Sequence, residues 1–254
     1  MTRAPTNRRY LIYLICIGEP FRRFAAMAIT SIREIGQWPY DIILLSDSEK
    51  PLAGCPDVAV VDMFSAAQRR YPWLRLKRHT LPHLKTEVEY HVDLTRYDYV
   101  LYVDCDVLVN SGRITDLVAT FCREQAIVVQ QDIIPVASGR PFAGGSILTA
   151  AEQRRWGAFA INAGIFGLPM NPIGRRLLRD WRQLNVKQRF KRRDQGNLIS
   201  LLLRKYYGLW GYIGDTTFGR ELERYPETFV HFTAYKDQLM EAYYTQVLGL
   251  TMPG

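Results

Sequence analysis

Tyr97-Asp98-Tyr99-Val100-Leu101-Tyr102-Val103-Asp104-Cys105-Asp106-Val107-Leu108-Val109 is an apolar run interrupted by two closely spaced carboxylates. Tyr99 to Val103 mixes β-branched and aromatic residues with no polar face, the pattern of a strand covered on both sides of a sheet. In extended backbone, residues i and i+2 project to the same side. Asp104 and Asp106 can therefore converge on one ligand. Open α/β sheets gather ligands beyond the carboxyl ends of their strands, which is where this pair falls. Two carboxylates so placed repel each other, and a divalent cation removes that repulsion. Oxygen ligands favour a hard ion such as Mg²⁺ or Mn²⁺, and a histidine among them tilts the choice toward Mn²⁺. An isolated Asp-x-Asp is also compatible with an acidic turn or a helix cap, so the rest of the chain has to decide.

On either side of this segment, strand-like and helical runs alternate, which predicts an α/β sandwich with a largely parallel sheet. Tyr10 to Ile17 is apolar and reads as the first strand. It has the length of a signal-peptide core behind Arg8 and Arg9, but it leads into Gly18-Glu19-Pro20 with no small-residue cleavage pattern. Phe21, Phe24, Ala25, Ala28, Ile29, Ile32 and Ile35 recur at helical spacing, with Gly36 placed to stop the helix. Asp41 to Ser46 and Val58 to Val61 are further strands. Arg75 to Val92 is polar, broken by Pro82, and reads as helical. Ser111 is placed to cap a helix with Ile114, Leu117, Val118 and Phe121 inside. Ala126 to Gln130 and Ala163 to Leu168 are strands; Asn171-Pro172 and Asp194 each open a helix. Asp132 to Ala160 carries Gly139, Gly144, Gly145, Pro135 and Pro141, and long loops of this kind are functional or mobile. No repeat or linker divides the 254 residues, so one domain is expected.

Composition narrows the class. Hydrophobic residues at 48% and charged residues at 23% are ordinary for a globular protein. No run reaches the ~20 apolar residues of a membrane helix, although peripheral membrane contact stays open. The net charge of +8 points to an anionic partner: nucleic acid, a nucleotide diphosphate or an acidic membrane surface. Its basic clusters, Arg69-Arg70, Lys77-Arg78, Arg175-Arg176 and Lys191-Arg192-Arg193, are scattered, and no nucleic-acid motif accompanies them. Cys16, Cys55, Cys105 and Cys122 are dispersed, without metal-ligand spacing. That suits reduced thiols and a cytoplasmic setting.

Asp98-Tyr-Val-Leu-Tyr-Val-Asp104-Cys-Asp106 followed by Val-Leu-Val resembles the metal-binding segment of glycosyltransferase family 8, which includes glycogenin and the bacterial lipopolysaccharide galactosyltransferases. Arg75-Leu76-Lys77, Asn162-Ala163-Gly164, Asp194-Gln195 and Val230-His231-Phe232 are similar to further family segments and come in the family's order. The resemblance spans roughly Tyr10 to Lys236. It implies a GT-A fold, a nucleotide-diphospho-sugar transferase built as a single α/β/α domain with a mostly parallel central sheet. It implies a UDP-sugar donor and transfer with retention. The metal ligands would be Asp104, Asp106 and His231. Donor contacts would come from Ile17, Gly18, Glu19, Phe21, Arg75, Asp104, Cys105, Asn162, Ala163, Gly164 and Lys236, with Asp194 and Gln195 at the reacting sugar. Where the family has a glycine and a lysine after its histidine, this chain has Ala234 and, close by, Lys236.

The chemistry is consistent with the parts. Breaking a sugar–phosphate bond requires stabilisation of a diphosphate leaving group, and an oxocarbenium-like transition state gains from an amide or carboxylate near the anomeric carbon. The acceptor is not legible; a glycan, a lipid-linked sugar or a small molecule would all serve. A haloacid-dehalogenase-like phosphatase also uses Asp-x-Asp, but normally on its first strand. A nucleotidyltransferase would call for a glycine-rich phosphate loop. A non-catalytic nucleotide-sugar-binding protein is the alternative of a different class.

Overall fold

The computed structural model describes residues 8–72, 78–140, 148–188, 194–233 and 237–253. Seven strands form its central sheet: β1 (Tyr10–Cys16), β2 (Asp41–Ser46), β3 (Ala59–Asp62), β4 (Tyr99–Val103), β6 (Ile127–Gln131), β7 (Ile161–Pro169) and β8 (Trp210–Ile213). Their order across the sheet is β3-β2-β1-β4-β7-β6-β8. All neighbours run parallel except β7, which is antiparallel to both β4 and β6. A second sheet joins β5 (Val107–Val109), β10 (Phe229–His231) and β9 (Thr216–Phe218), with β10 in the middle.

β1 and β4 are apolar on both faces because both faces are covered. Tyr13, Val100 and Tyr102 pack with Phe166, Trp181, Leu198 and Leu202 on one side. Tyr10, Ile12, Leu14, Leu101 and Val103 pack with Ile29, Ile32 and Val118 on the other. Helices α2 (Met63–Arg70), α5 (Pro172–Lys187) and α6 (Asp194–Arg204) supply the first layer and α1 (Glu19–Thr30) and α3 (Ile114–Arg123) the second. Helix α4 (Ala150–Arg155) buries no side chain, and α7 (Asp237–Ala242) packs Met240 into a separate cluster with Met27, Leu108 and Val230. Among the described residues no helix is long and apolar enough to cross a membrane.

Several local expectations are revised. Gly36 does end the helical run, following Ile35 with φ −73°, and the left-handed turn falls on the next residue, Gln37, φ 49°. Gly36 is required by packing, since a Cβ there would lie 2.5 Å from the Ile32 carbonyl oxygen and 3.0 Å from Val109. Ser111 does not cap α3; its hydroxyl pairs with Thr228 Oγ1 at 2.9 Å, and Arg113 precedes the helix without a side-chain cap. The segment expected to be helical from Arg75 is a 3-10 helix over Arg78–Tyr90, while residues 73–77 lie outside the described residues. The stretch after Asp132 is not loop throughout. It contains α4, whose Thr149 and Glu152 form a reciprocal capping box.

Candidate functional site

At the end of β4 the chain passes from one sheet to the other, and Asp104-Cys105-Asp106 is that passage. Asp104 N–H donates to the Gly164 carbonyl at 2.8 Å, the Val107 N–H to the Asp104 carbonyl at 3.2 Å, and the Phe232 N–H to the Asp106 carbonyl at 2.7 Å. The turn is thereby tied to β7 and β10 through backbone bonds that use neither carboxylate. β10 brings up His231, 3% exposed, with Nε2 at 3.1 Å from Asp106 Oδ1. Ligand atoms of Asp104, Asp106 and His231 all lie within 4.8 Å of one another.

β7 reaches this site because it departs from regular pairing with β6. Val129 pairs with Phe166 but Gln130 pairs with Asn162, so residues 163–165 are skipped on the β6 side. Such irregularities recur beside functional sites, where they re-aim side chains. The freed backbone groups of Ala163 are taken by side chains: its N–H donates to Gln195 Oε1 at 3.3 Å and its carbonyl accepts from Lys85 Nζ at 3.0 Å. Gly164 N–H donates to Asn162 Oδ1 at 2.6 Å. A Cβ at Gly164 would strike His231 Cε1 and lie 2.8 Å from Asn162 Oδ1 and 3.0 Å from Asp104 Oδ2. Gly164→Ala is therefore expected to cost about 1–3 kcal/mol as an overpacked core position and to displace His231 and Asp104. Chemical denaturation together with Mn²⁺ titration checks both effects; unchanged metal binding would mean that the glycine is dispensable.

Lys85, on the 3-10 helix, is the residue that organises the acidic groups. Its Nζ lies 3.1 Å from Asp194 Oδ2 and 3.6 Å from Asp104 Oδ1, and its side chain is 4% exposed. Burial works against its charge, but Asp104 and Asp194 outweigh burial and hold its pKa above the usual value. Burial would raise Asp194; Lys85, His83 and the Gln195 N–H reverse that and keep it below the ordinary carboxylate range. Asp104 stays above that range, because burial and the Asp106 charge outweigh Lys85. Tyr102 donates its hydroxyl to Asp104. Burial lowers the His231 pKa, yet Asp106 and then Asp104 bring it above the usual value. The cluster is thus short of positive charge on the Asp104–Asp106 side.

These groups line one cavity of about 410 Å³. Of the residues expected at the donor, Ile17, Phe21, Asp104, Cys105, Asn162, Ala163 and Gly164 line it, as do Asp106, His231, Asp194 and Gln195, joined by Ile15, Lys85, Tyr102 and Thr233. Gly18 does not line it; at φ 95° it donates its N–H to Asp47 Oδ2 at 2.9 Å. Glu19 does not line the cavity; it is exposed and lies 3.9 Å from Arg22. Arg75 and Lys236 lie outside the described residues. Sequence reading missed Lys85, although a signal was there: it stands three residues before Val88 and so shares an apolar helical face. It also passed over Asp132, whose Oδ2 accepts from Gln195 Nε2 at 3.1 Å and Asn162 Nδ2 at 3.5 Å. His83 is buried and helps to hold the Asp194 pKa down.

No protein-family model and no curated protein matches this chain by sequence. Solved structures do resemble it. The galactosyltransferase LgtC, crystallised with donor and acceptor sugar analogues, superposes with a TM-score of 0.63 at 14% identity, over 95% of this chain and 96% of that one. The bifunctional glycosyltransferase WbbM gives 0.60 at 12% identity, over 92% of this chain and 47% of its own. Mouse xyloside xylosyltransferase 1 gives 0.56 at 14% identity, over 93% of each chain. The fold is the GT-A glycosyltransferase fold.

Proposed function

We propose that this protein is a retaining, divalent-metal-dependent glycosyltransferase of the family 8 kind that uses a UDP-sugar. The observation that carries the reading is the convergence of Asp104, Asp106 and His231 with Asn162-Ala163-Gly164 and Asp194-Gln195 around one cavity. These segments are far apart in sequence, and a GT-A fold brings them together.

The residues present fit a divalent cation. Two carboxylates and an imidazole face one another, burial and the Asp106 charge hold the Asp104 pKa above the usual range despite Lys85, and the missing Cβ of Gly164 leaves the imidazole room. Mn²⁺ or Mg²⁺ would be held by Asp104, Asp106 and His231, and supplies Lewis-acid charge to the diphosphate leaving group. Ile17 and Phe21 offer apolar surface to the base. Lys85, fixed between Asp104 and Asp194, puts a permanent positive charge beside the acidic cluster. Gln195 is fixed from both ends, by the Ala163 N–H and by Asp132, so its amide is oriented before substrate arrives. A second groove of about 670 Å³ begins at Asp132 and runs past Thr216, Phe218 and Tyr225. It is where we place the acceptor, whether glycan, lipid-linked sugar or small molecule.

The chemistry open to Asp194 and Gln195 supports retention. A glutamine is no general base, and Asp194 is engaged by Lys85. Both can stabilise positive charge on the sugar; neither is set to deprotonate an acceptor on the opposite face. Gln195→Ala is expected to slow transfer about 100-fold or more, the scale of losing one oriented polar group in a transition state, with UDP affinity little changed. The test is kinetics with NMR of the first-formed product, using a UDP-sugar that a thermal-shift screen with Mn²⁺ selects. A β-glycoside formed from an α-linked donor would overturn the mechanism. A phosphatase gains nothing from the fold likeness, and UDP-sugar turnover separates an enzyme from a non-catalytic binder.

A further inference from the structure

Resting on the metal-site reading above, we infer that Gln130 is a positioning residue that orients His231 for metal binding by accepting its Nδ1–H. Gln130 sits on β6 where pairing with β7 shifts register. It is fully buried. Its Oε1 lies 2.8 Å from His231 Nδ1, on the side of the ring away from Asp106. The ring is further held by stacking on Phe218, centroids 5.4 Å apart at 23°.

The direction of this one hydrogen bond decides what the other nitrogen does. With Oε1 accepting, Nδ1 carries the proton and the Nε2 lone pair faces Asp104 and Asp106, ready for a cation. With the amide reversed, Nδ1 would accept and Nε2–H would point at Asp106, closing the site. Three acceptor groups already converge at that point, so the group between them must bring positive charge. A protonated imidazole and a metal-bound one both present Nδ1–H to Gln130, and both require Oε1 there. Only the neutral Nε2–H form, which cannot bind metal, calls for the reversed amide. Among the described residues Gln130 Nε2 has no protein hydrogen-bond partner in its buried position, so the contact with His231 is the amide's one side-chain bond there.

The test has two independent arms. ¹⁵N–¹H NMR of the protein with diamagnetic Mg²⁺ and UDP reads the His231 ring directly: a proton on Nδ1 held in a hydrogen bond is expected, and an Nδ1 without such a proton would overturn the inference. In the second arm, Mn²⁺ binding is followed by EPR in the presence of UDP. Gln130→Leu, which keeps volume and removes the acceptor, is expected to weaken Mn²⁺ about 10–100-fold, as loss of a partner behind a ligand does. Gln130→Glu, which restores an acceptor oxygen, is expected to recover most of that loss. Equal Mn²⁺ affinity in wild type and Gln130→Leu would overturn the inference. Failure of the wild type to bind Mn²⁺ would instead overturn the metal site. Should Gln130→Leu not fold, the wild-type ring proton still decides.

Discussion

Asp106→Ala is expected to abolish metal-dependent UDP binding while leaving the fold intact. Asp106 is 39% exposed at its side chain and sits in a turn whose backbone bonds to Gly164 and Phe232 do not involve its carboxylate. Its removal leaves no cavity in the core, and the cost is limited to about 1–3 kcal/mol for the partner lost by buried His231. The loss at the site is large because one of three cation ligands disappears. Even a partner behind a metal ligand is worth ~10–100-fold in affinity, and a direct ligand exceeds that. EPR of Mn²⁺ with UDP reads the loss, and thermal melting confirms the fold. Mn²⁺ affinity equal to wild type would remove Asp106 from the site.

Lys85→Met should be the most destabilising single change in the cavity. It leaves the carboxylates of Asp104 and Asp194 without their shared cation, and removing one partner from a buried pair costs about 3–5 kcal/mol. The pH dependence has a defined sign. Asp194 has a depressed pKa when folded, so its contribution is complete above the unfolded value of ~3.9 and is lost as pH falls through the lower folded value. Lys85 has a raised pKa, so its contribution is complete below ~10.4 and is lost as pH rises through the higher folded value. The deficit of Lys85→Met against wild type is thus full across the neutral range and shrinks toward both extremes. Denaturant unfolding at pH 3, 7 and 9 measures it. A deficit that stays constant from pH 7 to pH 3 would mean lost packing, not lost charge pairing.

Much of this site is legible in the sequence because its parts are short segments with strong local rules. The β1 and β4 strands are apolar at every position, and the Asp-x-Asp at the β4 exit takes its meaning from the segments that accompany it. Asn162-Ala163-Gly164 and Asp194-Gln195 add order along the chain. What sequence alone does not reveal is set by long-range packing. Lys85 looks like one of many lysines until the 3-10 helix buries it between Asp104 and Asp194, which come from two other parts of the chain. The irregular β6–β7 pairing is equally silent: Ala163 is an unexceptional strand residue, yet its freed N–H and carbonyl hold Gln195 and Lys85. Ser111 shows the opposite failure, a plausible cap claimed by Thr228 from 117 residues away.

Everything proposed for this cavity depends on its binding a uridine diphosphate through a divalent cation held by Asp104, Asp106 and His231. Isothermal titration calorimetry of UDP into the wild-type protein, with Mn²⁺ and again with EDTA, tests that most directly. Saturable one-site binding that requires Mn²⁺ and disappears in Asp106→Ala is the predicted result. No UDP binding in the presence of Mn²⁺, or equal binding with EDTA, would contradict the account.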